Sequence, residues 1–191
     1  MVKTYNMLLE EYQDYSDADN KISRLVKSKK LFKLTKGLYE TDSETPGYVL
    51  AGAIYGPSYL SFDYALSFYG LIPEAVFTYT SATFEKGRTK QYINDFGCFT
   101  YRDVPANAFP YEIRLLKEND YVYRIASPEK ALCDKLYSLS PVSNKTELIN
   151  LLFDDLRIDQ YEFEKLDKQI LKDLCDLYKS TNLKMLKKVL G

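Results

Sequence analysis

The sequence predicts an α+β protein in two parts, a small N-terminal unit of helices and a hairpin (1–45) and a larger α/β region (46–191). Three observations lead to this prediction. Apolar residues recur at helical spacing near the N-terminus, and a polar segment with Pro and Gly follows at 41–47. Most of the stretch 75–126 then favours strands, because it is rich in β-branched and aromatic residues. From about residue 144 onward the pattern is helical, which predicts a helical C-terminal extension.

Composition limits the class of protein. An apolar fraction of 46% is ample for a packed core, and the formal net charge is only −1. No stretch approaches the roughly 20 apolar residues that a membrane span needs. The N-terminal residues become acidic too early for a signal peptide, so we expect a cytoplasmic protein that does not enter a membrane.

The residue inventory also limits the chemistry. The chain has no histidine, which excludes Ser-His-Asp and Cys-His catalysis and any zinc site that uses histidine. The three cysteines, Cys98, Cys133 and Cys175, lie far apart in apolar segments, and we interpret them as free buried thiols. We predict no cofactor, no metal site and no catalytic residues.

The N-terminal unit begins with two predicted helices. In the first (4–14), one apolar face carries Tyr5, Leu8, Leu9 and Tyr12. Ser16 and Asp17 offer cap oxygens for the second, which we expect to run to about Lys29. Its buried stripe would hold Ala18, Ile22, Leu25 and Val26.

A basic run is the most informative feature of this unit. Between Asn20 and Tyr39 there are seven Lys or Arg and no acidic residue. Lys21, Arg24 and either Lys27 or Ser28 fall on the side of the second helix opposite its apolar stripe. This helix-then-hairpin order is typical of a recognition helix and its wing, so the run predicts binding to double-stranded DNA. A solvated basic face on an ordinary small domain is the alternative.

The hairpin that follows (31–40) supplies the wing. Its apolar residues bracket Thr35-Lys36-Gly37, and Gly37 allows the positive φ of a tight turn. Lys33 and Lys36 would then point toward whatever the helix contacts. A winged helix usually has three helices before its wing, and this chain has room for two, so we expect a trimmed winged-helix-like domain.

The larger region begins with two short helices. Residues 48–55 predict a buried helix that Gly56-Pro57 ends. We expect a second helix with Ser61 as its N-cap, Gly70 as its left-handed C-terminal residue and Pro73 beyond it. Loss of a serine cap costs about 1 kcal/mol.

Strands are predicted next, and helices after them. We expect strands at 75–81, 98–104, 111–117 and 121–126, with a turn at Asn119-Asp120. Ser127-Pro128-Glu129 marks the start of a helix through Tyr137. Further helices are expected at 145–154, about 160–179, and 182–190.

Two weaker patterns are open to a functional interpretation. Lys86, Arg88 and Lys90 flank the turn at Gly87 and could contact a phosphate backbone, although such loops are more often only solvated. A nuclease-like cluster could be imagined from Asp103, Glu112 and Lys130, but their spacing fits no motif.

Two segments carry a resemblance to a known family. They are GPSYLSFDYALSFYGLIPE (56–74) and YRIASPEKALCDKLY (123–137), and they follow the N-terminal TKGLYE (35–40) in that order. In this arrangement the chain resembles the AbiEi antitoxins, transcriptional regulators of bacterial abortive-infection loci, over nearly its whole length.

The resemblance implies a function that composition does not. Such proteins bind operator repeats in their own promoter through the N-terminal winged helix. Their C-terminal domain, here 46–191, counteracts a nucleotidyltransferase-like toxin in a type IV system, without needing a stable complex with it. On this chain Lys21, Arg24 and Lys27 would face the groove, and Lys33 and Lys36 would form the wing.

The sequence therefore predicts a non-enzymatic antitoxin and DNA-binding regulator. Two alternatives remain: an antitoxin that acts only through protein interaction and carries a vestigial DNA-binding domain, and, less favoured, a nuclease. The operator, the toxin and the oligomeric state are not predicted.

Overall fold

The computed structural model describes all residues, 1–191, and shows the α+β fold that the sequence predicts. Its strands form two separate sheets, one of three strands near the N-terminus and one of six in the larger region. The strands are β1 (Val2–Thr4), β2 (Phe32–Thr35), β3 (Leu38–Glu40), β4 (Tyr59–Leu60), β5 (Thr78–Thr83), β6 (Lys90–Asn94), β7 (Gly97–Asp103), β8 (Ile113–Glu118) and β9 (Tyr121–Ala126).

Nine α-helices accompany the strands. They are α1 (Tyr5–Glu11), α2 (Ala18–Lys27), α3 (Gly47–Ile54), α4 (Phe62–Phe68), α5 (Pro128–Tyr137), α6 (Lys145–Asn150), α7 (Gln160–Glu164), α8 (Lys168–Leu177) and α9 (Thr181–Val189). A π-helical segment, Leu151–Asp155, continues α6. No helix combines the length and the apolar composition needed to cross a bilayer.

The N-terminal unit is built as β1-α1-α2-β2-β3. Its antiparallel sheet has the order β1-β3-β2, so the first strand lies beside the second arm of the hairpin. The two helices and the hairpin agree with the prediction, whereas β1 was not predicted. A separate apolar cluster of Leu8, Ile22, Leu31 and Tyr39 holds the unit together.

The larger region packs helices around a mixed sheet of order β6-β7-β5-β4-β9-β8. Neighbouring strands β5 and β7 are parallel, as are β4 and β9, and the other pairs are antiparallel. Two of these strands, β4 and β6, were not predicted. Of the four predicted strands, β9 is found with its predicted bounds and the other three with shifted ends. A cluster of 35 buried residues forms the core between this sheet and its helices.

Two predicted details of the helices are wrong. The expected helix at about 160–179 is two helices, because Asp167 begins a new one and its carboxylate accepts hydrogen bonds from the amides of Gln169 and Ile170. Ser61 does occupy the N-cap position of α4, but it makes no cap hydrogen bond. Its hydroxyl donates instead to Asp134 on α5, 2.6 Å away.

The two parts contact each other through β2. Leu34 belongs to the large core rather than to the N-terminal cluster. The ring of Phe32 meets that of Phe96 edge-on at 5.7 Å, and the side chain of Asn94 donates to the Leu34 carbonyl at 3.1 Å. The predicted boundary at 45/46 lies in the loop between β3 and α3.

Candidate nucleic-acid interface

Two local features stabilise helix α2: a cap at its N-terminus and an apolar stripe that packs in the small cluster. Asp17 is the N-cap, and its carboxylate accepts the amide of Asn20 at 2.9 Å. This hydrogen bond is the main cause of a pKa below the usual value for Asp17. Ile22 is buried in the small cluster. The helix ends at Lys27, and Lys29 takes a left-handed conformation with φ 55°.

The register of the small sheet decides where Lys33 lies. Lys33 pairs with Tyr39, and cross-strand partners share a face of the sheet. Tyr39 packs in the cluster with residues of both helices, so Lys33 stands on the helical side of the sheet. Phe32 and Leu34, its neighbours along the strand, face the larger region. Arg24, Lys27 and Lys33 can therefore belong to one surface.

The tip of the hairpin completes this surface. Gly37 has φ 75°, as the predicted turn requires, and a side chain there would be strained. Lys36, directly before it, is exposed. The turn thus holds an ammonium group at the outer end of the hairpin.

Six of the cations in this unit have no acidic partner, and five of these six are exposed. Within 4.0 Å, no carboxylate oxygen lies near the side-chain nitrogens of Arg24, Lys27, Lys30, Lys33 and Lys36, and all five residues are exposed. We call these five residues the basic face. Lys30 was not among the predicted contacts, although it belongs to the same charged run.

Two other cations of the run are engaged within the chain. Lys21 was predicted to face the groove, but its ammonium lies over the ring of Tyr15, 4.6 Å from the centroid. Lys29 forms an ion pair with Asp95 of the larger region at 2.6 Å. This ion pair joins the N-terminal unit to the larger region, so Lys29 helps to hold the two parts together.

Two acidic residues of the unit are also engaged within the chain. Glu11 pairs with Lys3, and Asp19 accepts the hydroxyl of Tyr5. Asp17 and Asp19 lie at the start of α2, whereas Arg24 and Lys27 lie in its last turn and Lys33 and Lys36 lie on the hairpin. The charge of the unit is therefore separated along the helix axis.

In the second predicted basic segment, Lys86, Arg88 and Lys90, only some of the side chains are free to contact phosphate. The ammonium of Lys86 donates to the Gly56 carbonyl at 3.2 Å and lies over the ring of Tyr55. Arg88 is exposed, and Lys90 is half-buried at the start of β6. Contacts of this segment with phosphate remain a prediction.

The acids imagined for a nuclease do not come together. The carboxylate of Asp103 accepts the Thr83 hydroxyl and the amides of Lys86 and Gly87, at 2.7 to 2.8 Å, so it shapes a turn. Four steps along the sheet separate β7, which carries Asp103, from β8, which Glu112 precedes. At about 4.8 Å a step, these two strands are separated by about 19 Å across the sheet. No group of three acidic or cysteine side chains could hold a metal ion.

Lys130, the third member of that hypothetical cluster, belongs to a buried polar network. Its ammonium lies 3.2 Å from Asp134, and both side chains are fully buried. It donates to the Ala108 carbonyl at 2.8 Å and to the hydroxyl of Tyr178. Asp134 also accepts the hydroxyls of Tyr59, Ser61 and Tyr178.

This network joins β4, α5 and the residue that follows α8. The network was not predicted, although the sequence carries one signal of it: Lys130 and Asp134 stand one turn apart in a helix whose other residues are largely apolar. No surface cavity reaches the two charges, since both are fully buried. The network is therefore suited to fixing the packing of the fold.

Comparison with known proteins adds no relative. No protein-family model matches the chain, and no curated protein matches it either. The likeness to the AbiEi antitoxins thus depends on the two segments quoted above.

Proposed function

We propose that this protein is a DNA-binding transcriptional regulator and antitoxin of a type IV toxin–antitoxin or abortive-infection locus. The observation that carries the DNA-binding half is the basic face, five exposed cations without acidic partners on one small unit of a protein whose net charge is −1. The antitoxin half rests on the family resemblance of the segments 56–74 and 123–137.

The dimensions of the unit suit a duplex. With ten residues, α2 is about 15 Å long and would lie in a major groove about 12 Å wide. Lys36 at the hairpin tip would then contact the phosphate backbone, as would Lys30 beside the end of the helix. Asp17 and Asp19 at the start of α2 disfavour entry by that end, so we expect the basic C-terminal half of the helix to approach the DNA.

Salt dependence tests this proposal directly. If the five cations neutralise five phosphates, the slope of log K against log salt is about −4.5. Affinity for a duplex should then fall about 500-fold between roughly 50 and 200 mM salt. Fluorescence anisotropy with a duplex from the protein's own promoter region measures the affinity and its slope. An affinity that does not change with salt would contradict the DNA-binding half of the proposal.

A triple variant assigns the binding to the basic face. Arg24→Ala, Lys33→Ala and Lys36→Ala together should reduce the slope to about −1.8, because three of the five phosphate contacts are lost. The matched control replaces three exposed, unpaired lysines of the larger region, Lys145, Lys179 and Lys184, by alanine. It makes the same change in net charge and should leave the slope unchanged.

The same triple variant distinguishes the two halves of the function. Co-expression with the toxin encoded beside this gene, expected to be nucleotidyltransferase-like, measures antitoxin activity as colony survival. Rescue by the variant that no longer binds DNA would favour action by the larger region alone, which is the protein-interaction alternative. If the wild-type chain gives no rescue, the antitoxin half is wrong whatever the DNA result.

A further inference from the structure

The outer edge of β8 is an open sheet edge. The strand ends the six-stranded sheet, and only β9 pairs with it. The amide of Ser127 donates to the Glu112 carbonyl at 2.8 Å, which makes these two residues a hydrogen-bonded pair at the start of the ladder. In an antiparallel ladder, hydrogen-bonded pairs alternate with pairs that are not hydrogen-bonded. The N–H and C=O groups of Ile113, Leu115 and Lys117 therefore point away from β9, toward the open edge, where no strand pairs with them.

The other edge of the same sheet is covered. The N-terminal hairpin lies against β6, where the side chain of Asn94 donates to the Leu34 carbonyl at 3.1 Å. Within this chain, the long exposed backbone edge is therefore at β8. Open edges of this kind pair with another strand unless the protein blocks them.

Apolar side chains accompany the open edge. Leu115 is 65% exposed and Val122 is 63% exposed. They belong to adjacent strands, and Lys117, two residues after Leu115, pairs directly with Val122. Both side chains therefore stand on one face of the β8–β9 hairpin, where they would lose contact with water if a further strand were added.

The opposite face of β8 carries two unpaired charges. Arg114 and Glu118 lie four residues apart on that face, and neither forms an ion pair within the chain. The guanidinium of Arg114 lies over the ring of Tyr69, 5.5 Å from the centroid. Glu118 is half-buried at the end of the strand.

We propose that β8 pairs antiparallel with β8 of a second copy of this chain, with Leu116 opposite its own counterpart. In this register Arg114 of each copy faces Glu118 of the other, so two ion pairs form about the two-fold axis. Leu115 of each copy then faces Lys117 of the other, and both residues have the outward backbone groups that the new ladder needs. The two six-stranded sheets become one continuous sheet.

Charge selects this register over its neighbours. With Leu115 on the axis, Glu112 would meet Glu118. With Arg114 or Lys117 on the axis, each would meet its own counterpart, and like charges directly opposite destabilise a sheet. Among the residues of β8 itself, only the register centred on Leu116 places opposite charges together and no like charges face to face. It also sets Glu112 opposite Asp120, but both of these residues lie outside the strand.

The oligomeric state in solution tests the proposal without DNA, so its outcome does not depend on the proposed function. Sedimentation or light scattering should give twice the chain mass of 22.2 kDa. Arg114→Glu and Glu118→Arg should each weaken dimerisation at least about tenfold, because each creates two like-charge contacts. The double variant Arg114→Glu/Glu118→Arg should restore the dimer, since the pairs re-form with their signs exchanged.

Lys117→Glu is the matched control. It reverses a charge on the same strand, but Lys117 faces Leu115 in the proposed register, so the dimer should persist. Amide exchange gives a second measurement that does not depend on variants: protection of Ile113, Leu115 and Lys117 should rise with protein concentration.

Three results would overturn the proposal. They are a wild-type chain that stays at monomer mass at all concentrations, a dimer that neither charge reversal weakens, and a double variant that fails to recover. A monomer would instead mean that Arg114 and Lys117 serve to block edge pairing.

Discussion

Ser61 stands at a helix N-cap, where serine is expected, but its hydroxyl makes a different hydrogen bond from the one that a cap makes. Its position before α4 is the N-cap, where serine is preferred. However, its hydroxyl points to the carboxylate of Asp134, which is fully buried and also accepts the hydroxyls of Tyr59 and Tyr178. A hydrogen bond to a buried charge contributes more than a cap, about 1.5–3 kcal/mol against about 1 kcal/mol.

We therefore expect Ser61→Ala to lower the free energy of unfolding by about 1.5–3 kcal/mol. Ser127→Ala is the matched control, because Ser127 is a true cap of α5 that accepts the amide of Lys130 at 3.2 Å. Its loss should cost about 1 kcal/mol. Urea unfolding followed by circular dichroism measures both, and equal costs would show that the bond to Asp134 adds nothing beyond a cap.

The charged residues of the N-terminal unit show what composition can and cannot predict. The run Lys21–Lys36 could be identified from the sequence, and most of its members are exposed. The roles of Lys21 and Lys29 could not be identified in this way. Lys21 contacts the ring of Tyr15, and Lys29 pairs with Asp95, which lies 66 residues further along the chain. Such contacts arise only when distant segments pack together.

Among the elements, those with strong local signals were predicted and the shortest were not. Helix α5 has a cap, a proline in its first turn and an acid near its N-terminus, and it was found with its bounds. Strand β4 has only two residues, Tyr59–Leu60, too few for a period to be recognised. Its strand conformation follows from its pairing with β5 and β9 on either side.

The break between α7 and α8 has a similar explanation. Apolar spacing continues through this stretch, so the period alone predicts one helix. The chain turns because Leu166 is buried and Asp167 caps the next helix, while the Asp167 amide donates to Glu129 on α5 at 3.1 Å. A tertiary contact here outweighs a continuous local pattern.

Asp167→Ala should therefore destabilise the protein by about 1 kcal/mol, because the amides of Gln169 and Ile170 lose their acceptor. Asp173→Ala is the control: it removes an exposed carboxylate from the middle of the same helix and should cost less than about 0.5 kcal/mol. Thermal and urea unfolding of both variants make the comparison. If the two variants are equally stable, the cap does not fix the start of α8.

At the scale of the whole molecule, the packing of α5 against α8 connects the core to the C-terminal helices. Lys130 and Asp134 extend from α5 to Tyr178, which follows α8. Cys133 on α5 and Cys175 on α8 are free and buried, as the sequence predicted. The same prediction is wrong for Cys98, which is only half-buried on β7. Burial and the adjacent Cys175 raise the pKa of the Cys133 thiol. A buried thiol is inaccessible to reagents, so Cys133 and Cys175 should report on opening of the whole core.

We expect one thiol, that of Cys98, to react readily with a disulfide reagent at neutral pH, since this residue is only half-buried. Cys133 and Cys175 should react only as the core opens, so that their rate rises with urea in parallel with global unfolding. Cys98→Ser is the informative variant, because it should abolish the fast phase and leave the slow one unchanged. Rapid labelling of this variant without denaturant would mean that α8 separates from α5 in the native protein, and that the buried network of Lys130 and Asp134 does not hold the two helices together.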